Sequence, residues 1–498
     1  MNPYTLASLA AYFILMLAIG VYAWRKSTAD SAGYLLAGRN LPPSVAALSA
    51  GASDMSGWLL LGLPGALFIG GLVEAWIAIG LTIGAALNWI IVAPRLREQT
   101  ERLGDALTVP QFLANRFPGS GTALRVISAI VIVAFFTVYT ASGMVGGGKL
   151  FELAFAGALP DTGLSDYMLG IVITAGIVIA YTMIGGFLAV SLTDFVQGLI
   201  MMTALVIMPL VVMFGPGGSA GASILAVPQE GFLDLTYGLT TIGFISAVTW
   251  GLGYFGQPHI IVRFMAIDRV ENVRRAGVIG MGWMAISLAG TIGLGLAGRA
   301  YAERNGLVVD DPETIFIVLA QLLFHPAVTG FLYAALLAAI MSTISSQLLV
   351  SSSSLTEDFY RLFLRRDASE REAVNVGRIS VALVAAAAIV IARDPDSEVL
   401  GLVSNAWAGF GAAFGPLILL ALTWHDKDGR GMTGAGAVAG LVTGAVVVAG
   451  WITLGWNASL PEWLGGGPGL YEIVPGFAAA TIAIVVVSAL TRPRAVTR

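Results

Sequence analysis

Residues 49–57, Ser49-Ala-Gly-Ala-Ser-Asp-Met-Ser-Gly57, interrupt an otherwise apolar stretch that runs from about residue 42 to residue 72. Such a run makes a poor helix, because each interior glycine costs about 1 kcal/mol relative to alanine. A second interruption, Trp250-Gly-Leu-Gly-Tyr-Phe-Gly-Gln-Pro258, lies in the apolar stretch 236–258. We therefore expect two broken helices, each inside a long apolar segment.

The composition makes lipid the solvent of this chain. Of its 498 residues 57% are hydrophobic and 11% are charged, which is more apolar surface than a soluble domain buries. The net charge of −4 argues against a nucleic-acid partner, and the absence of cysteine excludes disulfides and thiolate sites. The three histidines are far apart, which argues against a histidine metal site: His259, His325 and His425. No enzymatic domain, cofactor site or obligatory protein partner is indicated.

The apolar stretches predict an all-α, multi-pass protein of the cell membrane, because a span needs roughly 20 apolar residues. Thirteen candidate spans follow from the sequence: 4–24, 42–72, 74–94, 124–154, 167–186, 190–214, 236–258, 275–299, 326–356, 376–393, 399–423, 432–455 and 472–491.

The distribution of basic residues predicts the orientation, because cytoplasmic connectors are enriched in lysine and arginine. With the N-terminus outside and the C-terminus inside, nearly all of the 26 basic residues fall on the cytoplasmic side. Four fall on the other side: Lys149, Arg299, Arg304 and Arg393.

The two broken stretches lie five spans apart, which is typical of transporters built from inverted repeats. Five spans is an odd number, so two such halves point in opposite directions. We predict one transmembrane domain over 1–498, with a first repeat at 42–214 and a second at 236–423. Residues 4–24 form a leading helix, and 432–491 form two trailing helices.

Asp54 is the most conspicuous polar residue of the first broken stretch. A carboxylate within a span costs roughly 2.5 to 3.5 kcal/mol on insertion scales, so it marks a functional site by default. It either contacts a cation or the substrate, or caps one of the two half-helices through free backbone N–H groups.

A hydroxyl-bearing helix face predicts an ion site. Ala339, Ser342 and Thr343 are spaced to share one face of the span 326–356. Together with carbonyls near Ala52 and Met55, they make a five-oxygen cage suited to sodium, since an unwound segment frees carbonyls for such a cation. The alternative is that the hydroxyls bond back to their own helix.

Aromatic residues near the breaks are candidates for a substrate pocket. Trp250 and Tyr254 are four residues apart, and Tyr139 lies in a glycine-rich span. Rings of this kind can enclose a small apolar solute while phenol hydroxyls reach its polar ends. Ordinary packing is the alternative, and Pro258 equally serves to end the broken helix.

Two charged residues are candidates for coupling or gating. Asp194, expected in the first turn of the span 190–214, either complements the positive helix end or attracts a departing cation. Arg39 either locks an inner gate or extends to the membrane interface. We interpret the arginines of 263–275 and 361–371 as topology signals, that is, as residues that set the orientation of the spans in the membrane.

At this point the sequence resembles the sodium/solute symporter family over essentially its whole length, and within it the branch that carries proline. The resemblance depends on five motifs: Leu36-Ala-Gly-Arg-Asn-Leu-Pro42, Ser49-Ala-Gly-Ala-Ser-Asp-Met-Ser-Gly-Trp58, Ser191-Leu-Thr-Asp-Phe-Val-Gln-Gly198, Trp250-Gly-Leu-Gly-Tyr-Phe-Gly-Gln-Pro-His259 and Ala339-Ile-Met-Ser-Thr343. It implies a LeuT-like five-plus-five inverted-repeat core and import of L-proline with sodium as coupling ion.

The resemblance also implies site residues. The sodium site matches Ala52, Met55, Ala339, Ser342 and Thr343. Positions tied to sodium or coupling match Asp54, Ser56, Arg39 and Asp194, and we also count Ser56 as substrate-binding. The proline-site positions match Tyr139, Trp250, Tyr254 and Pro258.

Other functions stay open from the residues alone. Proton coupling through Asp54 is one, and a different solute of the same family, such as a sugar or vitamin, is another. A membrane sensor is disfavoured because only a short tail follows the last span, and an ion channel is disfavoured because broken helices suggest occlusion.

Overall fold

The computed structural model describes residues 2–26, 31–157, 162–215, 224–225, 227–424, 431–464 and 466–492. Within these ranges eleven helices are long and apolar enough to cross a membrane, and one bent pair of helices supplies a twelfth span. The same ranges contain two isolated β-bridges, Leu41 with Ile267 and Ser459 with Pro468. The predicted all-α membrane fold is confirmed.

The first ten α-helices precede the second predicted break. They are α1 (Pro3–Lys26), α2 (Ser31–Leu36), α3 (Pro43–Asp54), α4 (Gly57–Leu60), α5 (Gly62–Gly70), α6 (Ala75–Leu87), α7 (Ala93–Arg102), α8 (Val109–Arg116), α9 (Gly121–Ala154) and α10 (Asp166–Phe214). A π-helical turn, Asn88–Val92, joins α6 to α7, so that one span covers Leu72–Arg102.

Nine further α-helices complete the described chain. They are α11 (Thr241–Val248), α12 (Pro258–Ala266), α13 (Val273–Asn305), α14 (Ile315–Leu323), α15 (Pro326–Ser353), α16 (Glu370–Ile391), α17 (Val399–Thr423), α18 (Gly434–Thr453) and α19 (Ile473–Thr491). A π-helical segment, Ser354–Leu364, extends α15.

A break and a kink lie in the regions of three predicted spans. The stretch predicted at 236–258 is broken, as its sequence indicated: α11 is followed by 3₁₀ helix over Thr249–Gly256 and then by α12. The spans predicted at 167–186 and 190–214 correspond to the two parts of α10, Asp166–Met183 and Gly186–Phe214, which are separated by a kink at Gly186, where φ is 58°. Only glycine adopts that conformation without strain, so the residue type marks the bend.

The first break follows from its residues. Pro43 begins α3 at the position where proline is tolerated, and α3 ends at Asp54. Met55 leaves the helical conformation at φ −80° and ψ 78°, and the Ser56 side chain then accepts the Trp58 N–H to begin α4. The two halves of this span are bent by 72°.

The packing places the hydroxyl-bearing helix at the centre. In α15 and in α17, 83% of the most apolar stretch is buried by other helices, against 28% in α1 and in α19. The 3₁₀ segment packs tightly on α6: a Cβ on Gly84 would lie 2.1 Å from the Gly251 carbonyl oxygen. Glycine at this contact therefore lets the second broken segment approach the first half of the chain.

Candidate ion and substrate site

Oxygens from α3 and α15 converge where the first helix breaks. The Ser342 hydroxyl donates to the Ala52 carbonyl at 2.7 Å, and the Thr343 hydroxyl lies 3.5 Å from the same oxygen. Both hydroxyls also lie 3.2 Å from the Ala339 carbonyl of their own helix. Cross-helix and same-helix contacts therefore occur together, and four of the five predicted sodium ligands share one point. Met55, the fifth, occupies the break and is buried.

Asp54 lies at the end of α3 with neutral neighbours. The Tyr254 hydroxyl donates to its Oδ2, while Oδ1 has no hydrogen-bond partner within the part of the chain that the structure describes. The Asp54 carbonyl accepts the Tyr139 hydroxyl and the Trp58 indole N–H, both at 3.2 Å. The carboxylate thus contacts a phenol from the second broken segment. The capping side chain at this break is that of Ser56, which accepts the Trp58 N–H at 3.5 Å.

The second broken segment is held by Trp407 of α17. The Trp407 indole N–H donates to the Trp250 carbonyl at 2.7 Å, and its ring meets the Tyr254 ring edge-on with centroids 5.0 Å apart. The Trp250 ring stacks on Tyr471, 5.1 Å away. These contacts orient Tyr254 toward Asp54 and leave Trp250 on the side of the chain segment that precedes α19.

The structure brings some of the predicted substrate residues together and separates others. Tyr139 and Tyr254 meet at Asp54, as described above. Pro258 begins α12 and lines a different cavity of about 20 Å³, together with Phe187 and Val262. Asp54 and Tyr254 line another cavity of about 20 Å³, which is space for about one water molecule. Binding of a solute here therefore requires the helices to move apart.

Asp194 belongs to a buried charge cluster, not to a first helical turn. It lies within α10 and is fully buried, and its Oδ2 accepts Arg263 Nη2 at 3.1 Å and the Ser49 hydroxyl at 2.8 Å. Arg263 also donates to Ser346 and to the His259 carbonyl. The cluster joins α3, α10, α12 and α15. The interpretation of Arg263 as a topology signal is wrong, because its side chain is fully buried.

Arg39 bridges separate segments of the chain, and its side chain is 10% exposed. Its Nε lies 2.6 Å from Asp105, and its other nitrogens donate to the carbonyls of Met265 at 2.8 Å and Ala106 at 2.7 Å. Burial lowers the pKa of the Arg39 guanidinium, and the Asp105 carboxylate opposes that shift. The side chain therefore ties the turn before α3 to the end of α12.

Sequence reasoning missed several buried polar groups near the site. The His259 ring lies 5.9 Å from the Tyr139 ring, and neither of its nitrogens has a hydrogen-bond partner among the residues described. Gln257 donates to the Trp407 carbonyl at 3.1 Å, and its Oε1 likewise has no partner among those residues. The signal for His259 and Arg263 was available, since both are polar residues inside the short apolar helix Pro258–Ala266. Trp407 carried no local signal.

The family model and the sequence relatives indicate one family. The family model described as the sodium:solute symporter family matches residues 34–444. The osmoregulated proline transporter OpuE of Bacillus subtilis is 51% identical over 97% of this chain and 94% of its own length. A sodium/proline symporter of Staphylococcus aureus (strain JH9) is 50% identical over 99% of this chain and 93% of its own.

Two solved structures share the fold. A Na⁺-coupled sialic acid symporter, in a substrate-bound outward-open state, matches with a TM-score of 0.80 at 18% identity, over 99% of each chain. Mhp1, a transporter of the nucleobase-cation-symport-1 family in a closed conformation, matches with a TM-score of 0.55 at 14% identity, over 92% of this chain and 95% of that one. The helices thus have the LeuT-like arrangement that the family resemblance implied.

Proposed function

Because this chain belongs to the sodium:solute symporter family, we propose that it imports L-proline by coupling it to the entry of sodium. Two relatives that are 51% and 50% identical to nearly the whole chain are named as proline transporters, which supports the choice of solute. The observation that carries the coupling is the meeting of the Ser342 and Thr343 hydroxyls at the Ala52 carbonyl of the broken helix.

The proposed sodium ligands are the carbonyls of Ala52, Met55 and Ala339 and the hydroxyls of Ser342 and Thr343. Neutral oxygens suit a hard monovalent cation, and the break supplies carbonyls that a regular helix would use internally. Sodium in this position would connect α3 to α15. Its positive charge would also stabilise the Asp54 carboxylate, whose described hydrogen-bond donor is the neutral Tyr254 hydroxyl.

The proposed proline site lies next to this ion site. Tyr139 and Tyr254 flank Asp54. Ser56 lies at the first break, and Trp250 lies on the second broken segment with its ring against Tyr471. Pro258 contributes by starting α12 where the second break ends. A bound solute would displace the Tyr254 contact with Asp54, so that sodium and proline favour the same open arrangement.

Arg39 and Asp194 are proposed as gating residues. Each holds together segments that must separate to release substrate on one side of the membrane: Arg39 bridges to Asp105 and Met265, and Asp194 pairs with Arg263. Alternating access then consists of breaking these contacts after sodium and proline have bound.

The repeat boundaries and the orientation are part of the proposal. The first half would cover 42–214 and the second 236–423, with 4–24 before them and 432–491 after them. The charge distribution supports an external N-terminus and an internal C-terminus. In this orientation the Asp194 and Arg39 contacts would close the cytoplasmic side.

Uptake of labelled proline into proteoliposomes tests the proposal. An inward sodium gradient should drive accumulation, and equal sodium on both sides should give equilibration only. A pH gradient without sodium separates the rival of proton coupling through Asp54, because accumulation under that gradient alone would favour protons. If another solute accumulates and proline does not, the protein is still a symporter but proline is not its substrate.

A further inference from the structure

A groove on the lipid-facing side of the bundle has no role in the transport site described above. It has a volume of about 740 Å³ and lies between the span containing α6 and α7 and the start of α13. Most of the residues that line it are apolar. Two of them, Ile90 and Val278, are 67% and 70% exposed. We call it the α6/α13 groove. Because both walls belong to membrane spans, its open side faces lipid.

The groove has the dimensions of one lipid leaflet. Its walls run from Ala86 to Pro94 and from Val273 to Met281. At a rise of about 1.5 Å per residue each wall is about 12 Å long, close to half of the roughly 30 Å hydrocarbon core. One end therefore lies near the headgroups and the other near the bilayer centre, which suits an acyl chain lying along the helices.

The headgroup end carries one cation and one anion. Arg274 and Glu271 both line this end and both are exposed. Among the described residues neither side chain forms an ion pair, although opposite charges three residues apart could pair with each other. The guanidinium suits a phosphodiester, since charge-assisted hydrogen bonds from arginine to phosphate are strong. The carboxylate suits an ammonium group and repels a second negative charge.

We propose that the α6/α13 groove binds one phosphatidylethanolamine molecule, with its phosphate on Arg274, its ammonium on Glu271 and an acyl chain along Trp89, Val278 and Met281. A zwitterionic headgroup matches the two charges of the mouth, whereas a purely anionic headgroup would leave Glu271 facing phosphate. The occupant is therefore a structural lipid of defined chemistry rather than any surrounding lipid.

The lipid would also support the wall of the transport site. Trp89 and Met281 line the groove and, on their other side, the small cavity that contains Asp54 and Tyr254. The Trp89 ring packs on Phe264 of α12 at 4.5 Å. The side chains of Trp89 and Met281 would thus separate an acyl chain in the groove from the cavity beside the broken helix.

Lipid retention by the full-length purified protein tests this proposal. The protein is titrated in detergent with palmitoyl-oleoyl phosphatidylethanolamine or with the matching phosphatidylglycerol, and bound lipid is counted by native mass spectrometry. We expect one tightly held phosphatidylethanolamine. Arg274→Gln should weaken it about tenfold, and Arg275→Gln, which changes the adjacent exposed arginine outside the groove, should change it less than about twofold.

Two further variants make the test specific. Glu271→Gln should abolish the preference for phosphatidylethanolamine over phosphatidylglycerol, because it removes the partner of the ammonium group. Val278→Trp should fill the groove and displace the lipid, whereas Val446→Trp, at another exposed valine of a membrane helix, should leave it bound. Equal losses in Arg274→Gln and Arg275→Gln, tighter binding of phosphatidylglycerol, or retention of lipid by Val278→Trp would each overturn the proposal.

Discussion

Asp54 and Asp194 are both buried within the helix bundle, and their surroundings differ. Asp194 faces a guanidinium: Arg263 Nη2 lies 3.1 Å from its Oδ2, and Ser49 donates to the same oxygen. Asp54 faces neutral groups: among the described residues, its Oδ2 accepts the Tyr254 hydroxyl and its Oδ1 has no partner. In the part of the chain that the structure describes, no ion pair involves Asp54.

The charge of Asp194 is balanced within the fold by Arg263, whereas the described neighbours of Asp54 carry no balancing charge. A buried ion pair loses much stability when one partner is removed, because the other charge is left unpaired. A buried carboxylate without a cation is instead costly in the unliganded protein, and a cation that binds beside it removes that cost. The proposed roles follow this difference: Asp194 would serve the integrity and opening of the bundle, and Asp54 would favour the binding of sodium.

The largest expected effect is on stability. Asp194→Ala leaves the Arg263 guanidinium buried without its carboxylate and should reduce the free energy of unfolding by roughly 3–5 kcal/mol. Unfolding in mixed detergent micelles measures this loss. The double variant Asp194→Asn with Arg263→Gln removes both charges and should recover most of it. An unstable double variant would show that the cluster acts through shape and hydrogen bonds rather than through charge.

Asp54→Asn should affect transport more than stability. The substitution keeps the size of the side chain but removes the charge, so the apparent sodium affinity should fall by about a hundredfold, within the roughly 4 kcal/mol of an ion pair at 4 Å in a medium of intermediate polarity. Proline uptake measured over a range of sodium concentrations gives this value. Unchanged sodium dependence would remove Asp54 from the coupling mechanism.

The two hydroxyls of α15 should each have a smaller effect. Ser342→Ala and Thr343→Ala each remove one neutral oxygen, and each should raise the sodium concentration for half-maximal uptake by about tenfold. Ser353→Ala is the control, because Ser353 also bonds back to its own helix, at 2.8 Å from the Val350 carbonyl, away from the break. If all three variants behave alike, the hydroxyls serve the helix and not the ion.

Tyr254→Phe should have the smallest effect on transport. It tests most closely whether the neutral donor beside Asp54 matters. It removes the one described donor to the Asp54 carboxylate, and sodium can replace that donor in the bound state. We expect proline affinity to fall about threefold, as for loss of one hydrogen bond of modest net value. Tyr333→Phe, at a buried tyrosine of α15 remote from Asp54, is the matched control. Loss of sodium binding as large as in Asp54→Asn would mean that the phenol itself is a ligand.

Much of the fold was predictable because membrane helices leave a strong local signal. Long apolar runs gave the spans, and the small residues of Ser49 to Gly57 gave the first break at the correct place. The second break, Trp250 to Pro258, was predicted, but its 3₁₀ geometry over Thr249–Gly256 was not, because glycine-rich residues indicate a poor α-helix without specifying what replaces it. The kink at Gly186 falls where the sequence separated the spans 167–186 and 190–214.

The site was predictable where chemistry and spacing coincide. Asp54 and the pair Ser342 and Thr343 stood out because polar groups within spans are costly. The pairing of Asp194 with Arg263 was missed, since contacts between residues so distant in sequence depend on packing that local patterns do not contain. Trp407 was missed for the same reason, because its role follows from the second broken segment lying beside it.

Equilibrium binding of labelled proline to the purified protein, measured over a range of sodium concentrations, tests the central claim most directly. If sodium binds at the Ala52, Ser342 and Thr343 oxygens and favours the proline site, sodium should raise proline affinity and proline should raise sodium affinity by the same factor. The variant with both Ser342→Ala and Thr343→Ala should lose this mutual effect while still binding proline weakly. Proline affinity that is independent of sodium in the unmodified protein would contradict the account.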